Sequence, residues 1–309
     1  MKVVKKRTPS KELQILDILS YRSNLSEKDT QQLLKLKKGY EGELLFDQLL
    51  DQQLQSECLV IRDLLLTVNN STFQIDTLII FPTIIELIDV KYFEGEYIYQ
   101  KDNFYKDTDY KIKNPEHQLI RAETLLHQLL QRHGMKTLIN SSVVFINPEF
   151  TLYNSPRDKP FILPTQINSF IKRLNSNYSK VTKQNQAIAN KLISLHQEDS
   201  PYQTIPEYHY DQVQKGVVCH QCHSFSVVLQ GHYCHCNDCG GKMLLSEAII
   251  HTLRDFTILF PDKKITTGNV YDWCVIISSK QRIKRILMKH FKFVYNRRWS
   301  YYEWKAPGR

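Results

Sequence analysis

Gln74-Ile75-Asp76, the apolar run Thr77 to Phe81, the break at Pro82-Thr83, the run Ile84 to Val90 and, across its end, Asp89-Val90-Lys91 decide how this chain is read. Two extended runs joined by a turn predict a β-hairpin. Period-two geometry puts Asp89 and Lys91 on one strand face with Val90 pointing away between them. Glu86 lies at an odd offset from Lys91 and falls on the opposite face, so Asp89 is the better partner for the amine. Two carboxylates and an ammonium at a strand edge suit divalent-metal chemistry on phosphodiesters. Carboxylates supply hard oxygen ligands to Mg²⁺, and the ammonium orients or activates an attacking water. A solvated strand face carrying a salt bridge accounts for the same spacing more simply.

The flanking sequence adds weight. Gly39-Tyr40-Glu41-Gly42-Glu43 reads as the opening of a helix upstream, Gly95 follows the hairpin, and Asn114-Pro115-Glu116-His117-Gln118 starts another helix. This ordered series, over about residues 37–150, resembles the nuclease-related domain (NERD) family, a branch of the PD-(D/E)xK nuclease superfamily. The resemblance implies metal-binding and catalytic roles for Glu43, Asp76, Asp89 and Lys91, with Gln118 on the family's helical glutamine. Asp76 and Asp89 would hold Mg²⁺ or Mn²⁺, and Glu43 would act through water or hold a second ion. It also implies an α/β (α+β) fold with a restriction-endonuclease-like core, a mixed sheet flanked by helices. Two departures stand out. Asp89 replaces the usual glutamate, and Ile75 replaces the superfamily's proline, a change common within this branch. Neither removes a functional group.

A chain of 309 residues has room for two or three domains. Residues 1–36 read as an N-terminal helical arm, with Leu13, Leu16, Ile18 and Leu19 on one apolar face and Leu33, Leu34 and Leu36 on a second. That arm packs on the catalytic domain or on a protein partner. Residues 37–200 read as the nuclease-related domain. It would hold a helix near 40–55 with Leu44, Leu45, Leu49 and Leu50 inward, a turn at Asn69-Asn70-Ser71, and a helix from Pro115 to about Arg132. A short strand at Val143–Ile146 and helical segments over 165–198 follow. Pro201 to Pro206 reads as a linker.

Five of the seven cysteines fall between Cys219 and Cys239. Cys219-His220-Gln221-Cys222 and Cys236-Asn237-Asp238-Cys239 are two CxxC units thirteen residues apart. Four thiolates at such spacing satisfy tetrahedral Zn²⁺. Residues 210–245 therefore resemble a zinc ribbon whose metal is structural. Cys234 is left spare, because a knuckle needs two intervening residues.

The formal charge of +9 sits at one end: residues 280–309 hold ten Lys/Arg and one acid, and the remainder is neutral. Residues 246–309 read as three helices and a hairpin. The helices span Ser246 (as N-cap) to about Ile258, Thr267 to about Trp273, and Ser279 to His290, the outline of a winged helix-turn-helix. Lys280, Lys284, Arg285 and Lys289 on the third helix, with Arg297 and Arg298 at the wing tip, form a stripe suited to nucleic-acid phosphates. Tyr301, Tyr302 and Trp304 stack or pack beside it. A solubilising basic end is the plainer alternative.

No apolar stretch is long enough to span a bilayer, and the basic start lacks an apolar segment after it, so the expectation is a cytoplasmic protein with no membrane partner. The leading expectation is a metal-dependent nuclease acting on DNA. A nucleic-acid-binding adaptor with a nuclease-like fold, or a zinc-dependent interaction protein, are the rivals from other classes.

Overall fold

Asn69 and Asn70 both take left-handed backbone, φ 48° and 59°, the conformation a two-residue hairpin turn requires and asparagine tolerates. They join β2 (Leu59–Val68) to β3 (Ser71–Ile80), in register from Val68↔Ser71 to Leu59↔Ile80. After Pro82-Thr83, the Phe81 N–H donates to the Ile84 carbonyl at 2.9 Å, and β4 (Ile84–Lys91) returns antiparallel to β3. β1 (Lys2–Lys5) lies parallel to β2, β8 (Leu138–Phe145) parallel to β4, and β10 (Phe161–Ile162) parallel to β8. The sheet order is β1-β2-β3-β4-β8-β10, so the sheet is mixed.

The computed structural model describes residues 1–106, 110–177 and 180–305. Residues 306–309, the end of the expected C-terminal domain, lie outside them. The chain divides into two units: Met1–Pro9 with Leu34–Gln203, and Ser10–Leu33 with Thr204–Arg309.

In the first unit, helices cover both faces of the sheet. On one face α2 (Glu27–Gln53) and α4 (Ile167–Asn175) bury Phe46, Leu50, Phe170 and Ile171 against Ile79, Ile88 and Val144. On the other, α3 (Pro115–Arg132) and α5 (Lys183–Ser194) bury Leu126, Leu129 and Ile188 against Leu66, Leu78 and Val143. Pro115 opens α3 and the Asn114 side chain caps it, accepting from the Glu116 N–H at 3.0 Å.

The sequence reading of α2 needs correction. Gly39 to Glu43 does not open a helix; these residues lie inside one continuous helix that begins at Glu27. Two interior glycines each cost about 1 kcal/mol of helix propensity, and Gly42 has a reason to be there. A Cβ on it would stand 2.6 Å from the Tyr92 Cβ, so only glycine lets α2 approach the end of β4. The inward residues are Phe46 and Leu50, whereas Leu45 and Leu34 face solvent.

A second sheet, order β7-β6-β5-β9, is built from β5 (Gly95–Gln100), β6 (Asn103–Lys106), β7 (Tyr110–Ile112) and β9 (Phe150–Tyr153). Its Tyr97, Phe104 and Phe150 join the α3-side core, with Phe145 and Phe150 stacked at 4.2 Å.

In the second unit, α1 (Lys11–Arg22) buries Ile15, Ile18 and Leu19 in one core with Leu253, Phe256 and Trp273. The first apolar stripe, expected to pack on the catalytic domain or on a protein partner, is thus buried in the second unit's own core. The fully buried Arg22 fixes it: Nε and Nη2 donate to Asp255 Oδ2 at 3.0 and 2.8 Å, and Nη1 to the Gln214 carbonyl at 2.9 Å. β11 (Val227–Gln230), β12 (Tyr233–Cys236) and β13 (Lys242–Leu244) form a three-stranded antiparallel sheet.

The helices α6 (Leu245–Leu259), α7 (Thr267–Cys274) and α8 (Lys280–His290) follow, then the hairpin β14 (Phe291–Val294) and β15 (Tyr301–Trp304). Ser246 does not cap α6, which starts directly from β13, with Glu247 accepting the Leu244 N–H at 3.2 Å. Thr266 and Ser279 do cap α7 and α8. Ile265 bridges antiparallel to Tyr302. Tyr302 is consequently buried, packing on Phe293 at 5.4 Å, and offers no ring to a ligand.

Candidate active site and cysteine centre

The β3–β4 ladder ends at Thr77↔Ile88. Beyond it β3 stays with β2, through Ile75↔Leu64, and β4 stays with β8, through Lys91↔Phe145. The strands therefore fork where Asp76 and Asp89 would have paired. In place of a ladder bond, the Val90 N–H donates to Asp76 Oδ2 at 2.8 Å. Both carboxylates are buried, at 8% and 6% exposure.

Lys91 stands beside Asp89, its Nζ 2.9 Å from Oδ1 and 2.6 Å from Oδ2. The first contact is a directed hydrogen bond. Oδ2 accepts none despite the shorter separation, and remains a buried oxygen with only an ion-pair neighbour. Lys91 Nζ also donates to Gln118 Oε1 on α3 at 3.3 Å. Glu43 reaches the same region from α2, on the other side of the sheet. Its Oε2 accepts from Arg7 Nη1 at 2.5 Å. Thus Asp89, Lys91 and Gln118 touch directly, Asp76 joins them through the Val90 amide, and Glu43 is held by Arg7. Glu86, as expected, turns elsewhere and accepts from Asn140 at 3.2 Å.

Arg7 was not foreseen. It sits 69 residues from Asp76 in sequence, inside a Lys-Lys-Arg run that reads as solvated surface. Only knowing that residues 2–5 form a sheet strand would have pointed to it. Asp47, one turn beyond Glu43, was likewise missed; it is salt-bridged to Arg7 at 2.9 Å and to Arg62 at 3.1 Å.

Electrostatics ties the set together. Burial pushes the Glu43 carboxyl up to about 8, with the Asp76 charge adding and Arg7 opposing. Burial likewise pushes Asp89 up to about 7, Lys91 opposing and Asp76 adding. Burial works against the Lys91 ammonium, but Asp89, Asp76 and Glu43 outweigh it and hold its pKa above the ordinary lysine value. One lysine therefore feels all three acids, and it is protonated at neutral pH.

These residues fit a divalent ion. The donors are hard carboxylate oxygens, Asp89 shares one ammonium between both of its oxygens, and two of the acids are costly to ionise without added positive charge. A pH dependence follows. Unfolded carboxylates ionise near pH 4, so the raised groups keep protons that the unfolded chain has released. Their contribution to stability falls as pH rises through about 4 to 8, and a bound cation offsets the loss. With zinc retained and other divalent ions stripped, added Mg²⁺ should raise the melting temperature more at about pH 8 than at about pH 5.5. An equal increment at both would contradict this coupling.

Among the described residues, the set of His, Cys, Asp or Glu side chains whose ligand atoms already converge is Cys219, Cys222, Cys236 and Cys239, all within 4.8 Å of one another. Cys219 and Cys239 Sγ lie 3.5 Å apart, and Cys222 and Cys236 Sγ 3.6 Å. A tetrahedron with Zn–S bonds of about 2.3 Å has edges of about 3.8 Å, so the geometry suits Zn²⁺. Cys234 stands outside the set, buried in the unit's core at 1% exposure.

Lys280, Lys284, Arg285, Lys289, Arg297 and Arg298 are all exposed, on α8 and the loop between β14 and β15. Arg282 was missed; it donates to the Gly231 carbonyl and is half-buried. The same loop also exposes Tyr295 and Trp299, at 76% and 70%.

No helix among the described residues is long and apolar enough to cross a membrane. No curated protein and no solved structure matches the chain. The family model described as the nuclease-related domain matches residues 38–146, a span that contains Glu43, Asp76, Asp89, Lys91 and Gln118 and about a third of the chain. The fork, with the acids and lysine gathered at it, thus lies within the span that the nuclease-related domain model matches, in one chain with a four-cysteine cluster and a basic C-terminal segment.

Proposed function

We propose that the protein is a divalent-metal-dependent nuclease that hydrolyses DNA phosphodiester bonds. The observation that carries this reading is the Asp89–Lys91–Gln118 contact set at the strand fork, beside a second buried aspartate and within the matched domain. Asp76 and Asp89 would hold Mg²⁺, or Mn²⁺, which supplies Lewis acidity and an activated water. Lys91, protonated and fixed by Asp89, donates hydrogen bonds to the attacking water and to the phosphoryl oxygens as negative charge develops on them. Gln118 holds the ammonium on the α3 side, and Glu43, paired with Arg7, lies toward α2.

In this reading zinc at residues 210–245 is structural, because protein sulfurs supply all four ligands. Residues 246–309 engage the DNA backbone through α8 and the wing. Neutralising Lys284, Arg285, Arg297 and Arg298 together should weaken DNA binding and reduce the slope of log K against log salt concentration by about 1 per lost phosphate contact. The folded state should be unaffected, since all four side chains are exposed. Binding unchanged in affinity and salt slope would remove the basic segment from the interface.

Incubation of the wild-type protein with supercoiled plasmid, with and without Mg²⁺ or Mn²⁺, tests the main proposal. Metal-dependent nicking or linearisation is expected. Salt-sensitive DNA binding with no cleavage under any metal would favour a nucleic-acid-binding adaptor.

A further inference from the structure

Arg7 sits among the acids of the α2 side, paired with Glu43 and Asp47. Its guanidinium spends its donors on groups from α2 and β3: Nε on Asp47 Oδ2 at 2.9 Å, Nη1 on Glu43 Oε2 at 2.5 Å, and Nη2 on the Asp76 carbonyl at 2.7 Å and Thr77 Oγ1 at 3.2 Å. Arg7 is 8% exposed and Asp47 4%. A planar, permanently charged fork that satisfies four groups at once is a fixed element, not a passing surface contact.

Strand β1 delivers it. Lys2 and Val3 pair with Leu59 and Val60, a register shift follows, and Lys5 pairs with Ile61. Lys5 Nζ is then anchored on the Arg62 and Asp63 carbonyls at 3.1 and 2.6 Å. Two residues further on, Arg7 lies against β3 beside Asp76, with Glu43 and Asp47 across from it.

The cations and acids are therefore arranged asymmetrically. On the α2 side, Glu43 and Asp47 are both paired, by Arg7 and by Arg7 with Arg62. On the β4 side, Asp89 has one ammonium for two oxygens, and Oδ2 accepts no hydrogen bond. Two-metal phosphodiesterase sites place their ions about 3.5–4 Å apart between shared carboxylates. Here one of those flanks already carries a guanidinium.

We infer that Arg7 takes the cation position between the Glu43 and Asp47 carboxylates, against the Asp76 backbone, so that the site accepts one divalent ion, on the Asp89 side. Arg7 is a positioning residue: it fixes Glu43 and the Asp76 backbone and keeps a second ion out. Glu43 accordingly contributes charge through Arg7 rather than ligating metal. The inference rests on the proposed metal-dependent reading and adds stoichiometry to it.

Direct binding of Mn²⁺ to the full-length, zinc-loaded protein, followed by electron paramagnetic resonance and calorimetry, decides the matter without any turnover assay. Wild type should bind one Mn²⁺ per chain. Asp89→Asn should weaken it at least ~10-fold, as loss of a ligand charge does, while Glu43→Gln should shift it less than ~3-fold. Arg7→Met should gain a second, weaker Mn²⁺ that Arg7→Met/Glu43→Gln lacks. Should Arg7→Met fail to fold, the wild-type count and the Glu43→Gln titration still decide. Two ions in the wild type, one of them lost in Glu43→Gln, would overturn the inference and leave the metal-dependent reading standing. No Mn²⁺ at this site in the wild type would overturn both.

Discussion

Replacing Lys91 by alanine should lower the proposed metal-dependent DNA cleavage by at least ~10³-fold to a small measurable residue, while DNA binding changes little. Removal of one preorganised donor from a transition-state site typically costs about 10²–10³ in rate. In the proposed site Lys91 does more than donate. Among the described residues it is the sole side chain in hydrogen-bonding contact with Asp89, and its loss leaves a buried carboxylate that burial already pushes up to about 7. Without the ammonium that carboxyl holds its proton more tightly and binds metal less well. Lys91→Ala should therefore also raise the Mg²⁺ concentration needed for any residual cleavage, whereas a lysine acting only as a donor would lower the rate alone. Asp89→Asn should lose activity to a similar extent. Initial rates over a Mg²⁺ titration separate the two effects, and cleavage by Lys91→Ala at the wild-type rate would remove the catalytic assignment.

Loss of zinc should produce the largest structural effect. Cys219 and Cys236 are ligands in the proposed centre and also members of the hydrophobic core that contains Leu253, Phe256 and Trp273. The ribbon thus shares one core with α1 and α6, and its collapse is not local. Structural zinc in small domains contributes roughly 10–16 kcal/mol of apparent binding free energy, comparable to a domain's whole net stability of ~5–15 kcal/mol. Cys219→Ser, or exhaustive chelation, should unfold the second unit, with lost helical ellipticity and new protease sites within residues 204–305. The first unit carries its own cores and contains no cysteine of the centre, so its fragment should survive proteolysis. One zinc per chain by elemental analysis is expected. A Cys219→Ser protein as stable as wild type would contradict a structural metal.

Local chemistry made much of this legible. Asn69-Asn70 announced the hairpin because few residues accept two left-handed positions in a row. Asn114-Pro115 fixed the start of α3, and the two CxxC units named their own partners. The elements that escaped are those whose signals are tertiary. α2 read as two helices because Gly39 and Gly42 look like breaks, yet Gly42 answers to Tyr92 on another element. The second sheet escaped because its strands are three to six residues long and mix tyrosines with lysines. At the site, Asp89 and Lys91 were readable because period two is a local rule. Arg7 was not, since a partner 36 residues from Glu43 leaves no mark in periodicity. Of the rings expected to stack or pack beside the basic stripe, Tyr302 packs: its bridge to Ile265 buries it against Phe293.

The central claim is that the carboxylates and the lysine at the β3–β4 fork form one phosphodiester-hydrolysing metal site. Time courses of supercoiled plasmid with Mg²⁺ test it most directly, run in parallel for wild type and Asp76→Ala at matched zinc content. The account predicts metal-dependent strand scission by the wild type and none by Asp76→Ala. Equal cleavage by the two proteins would contradict it.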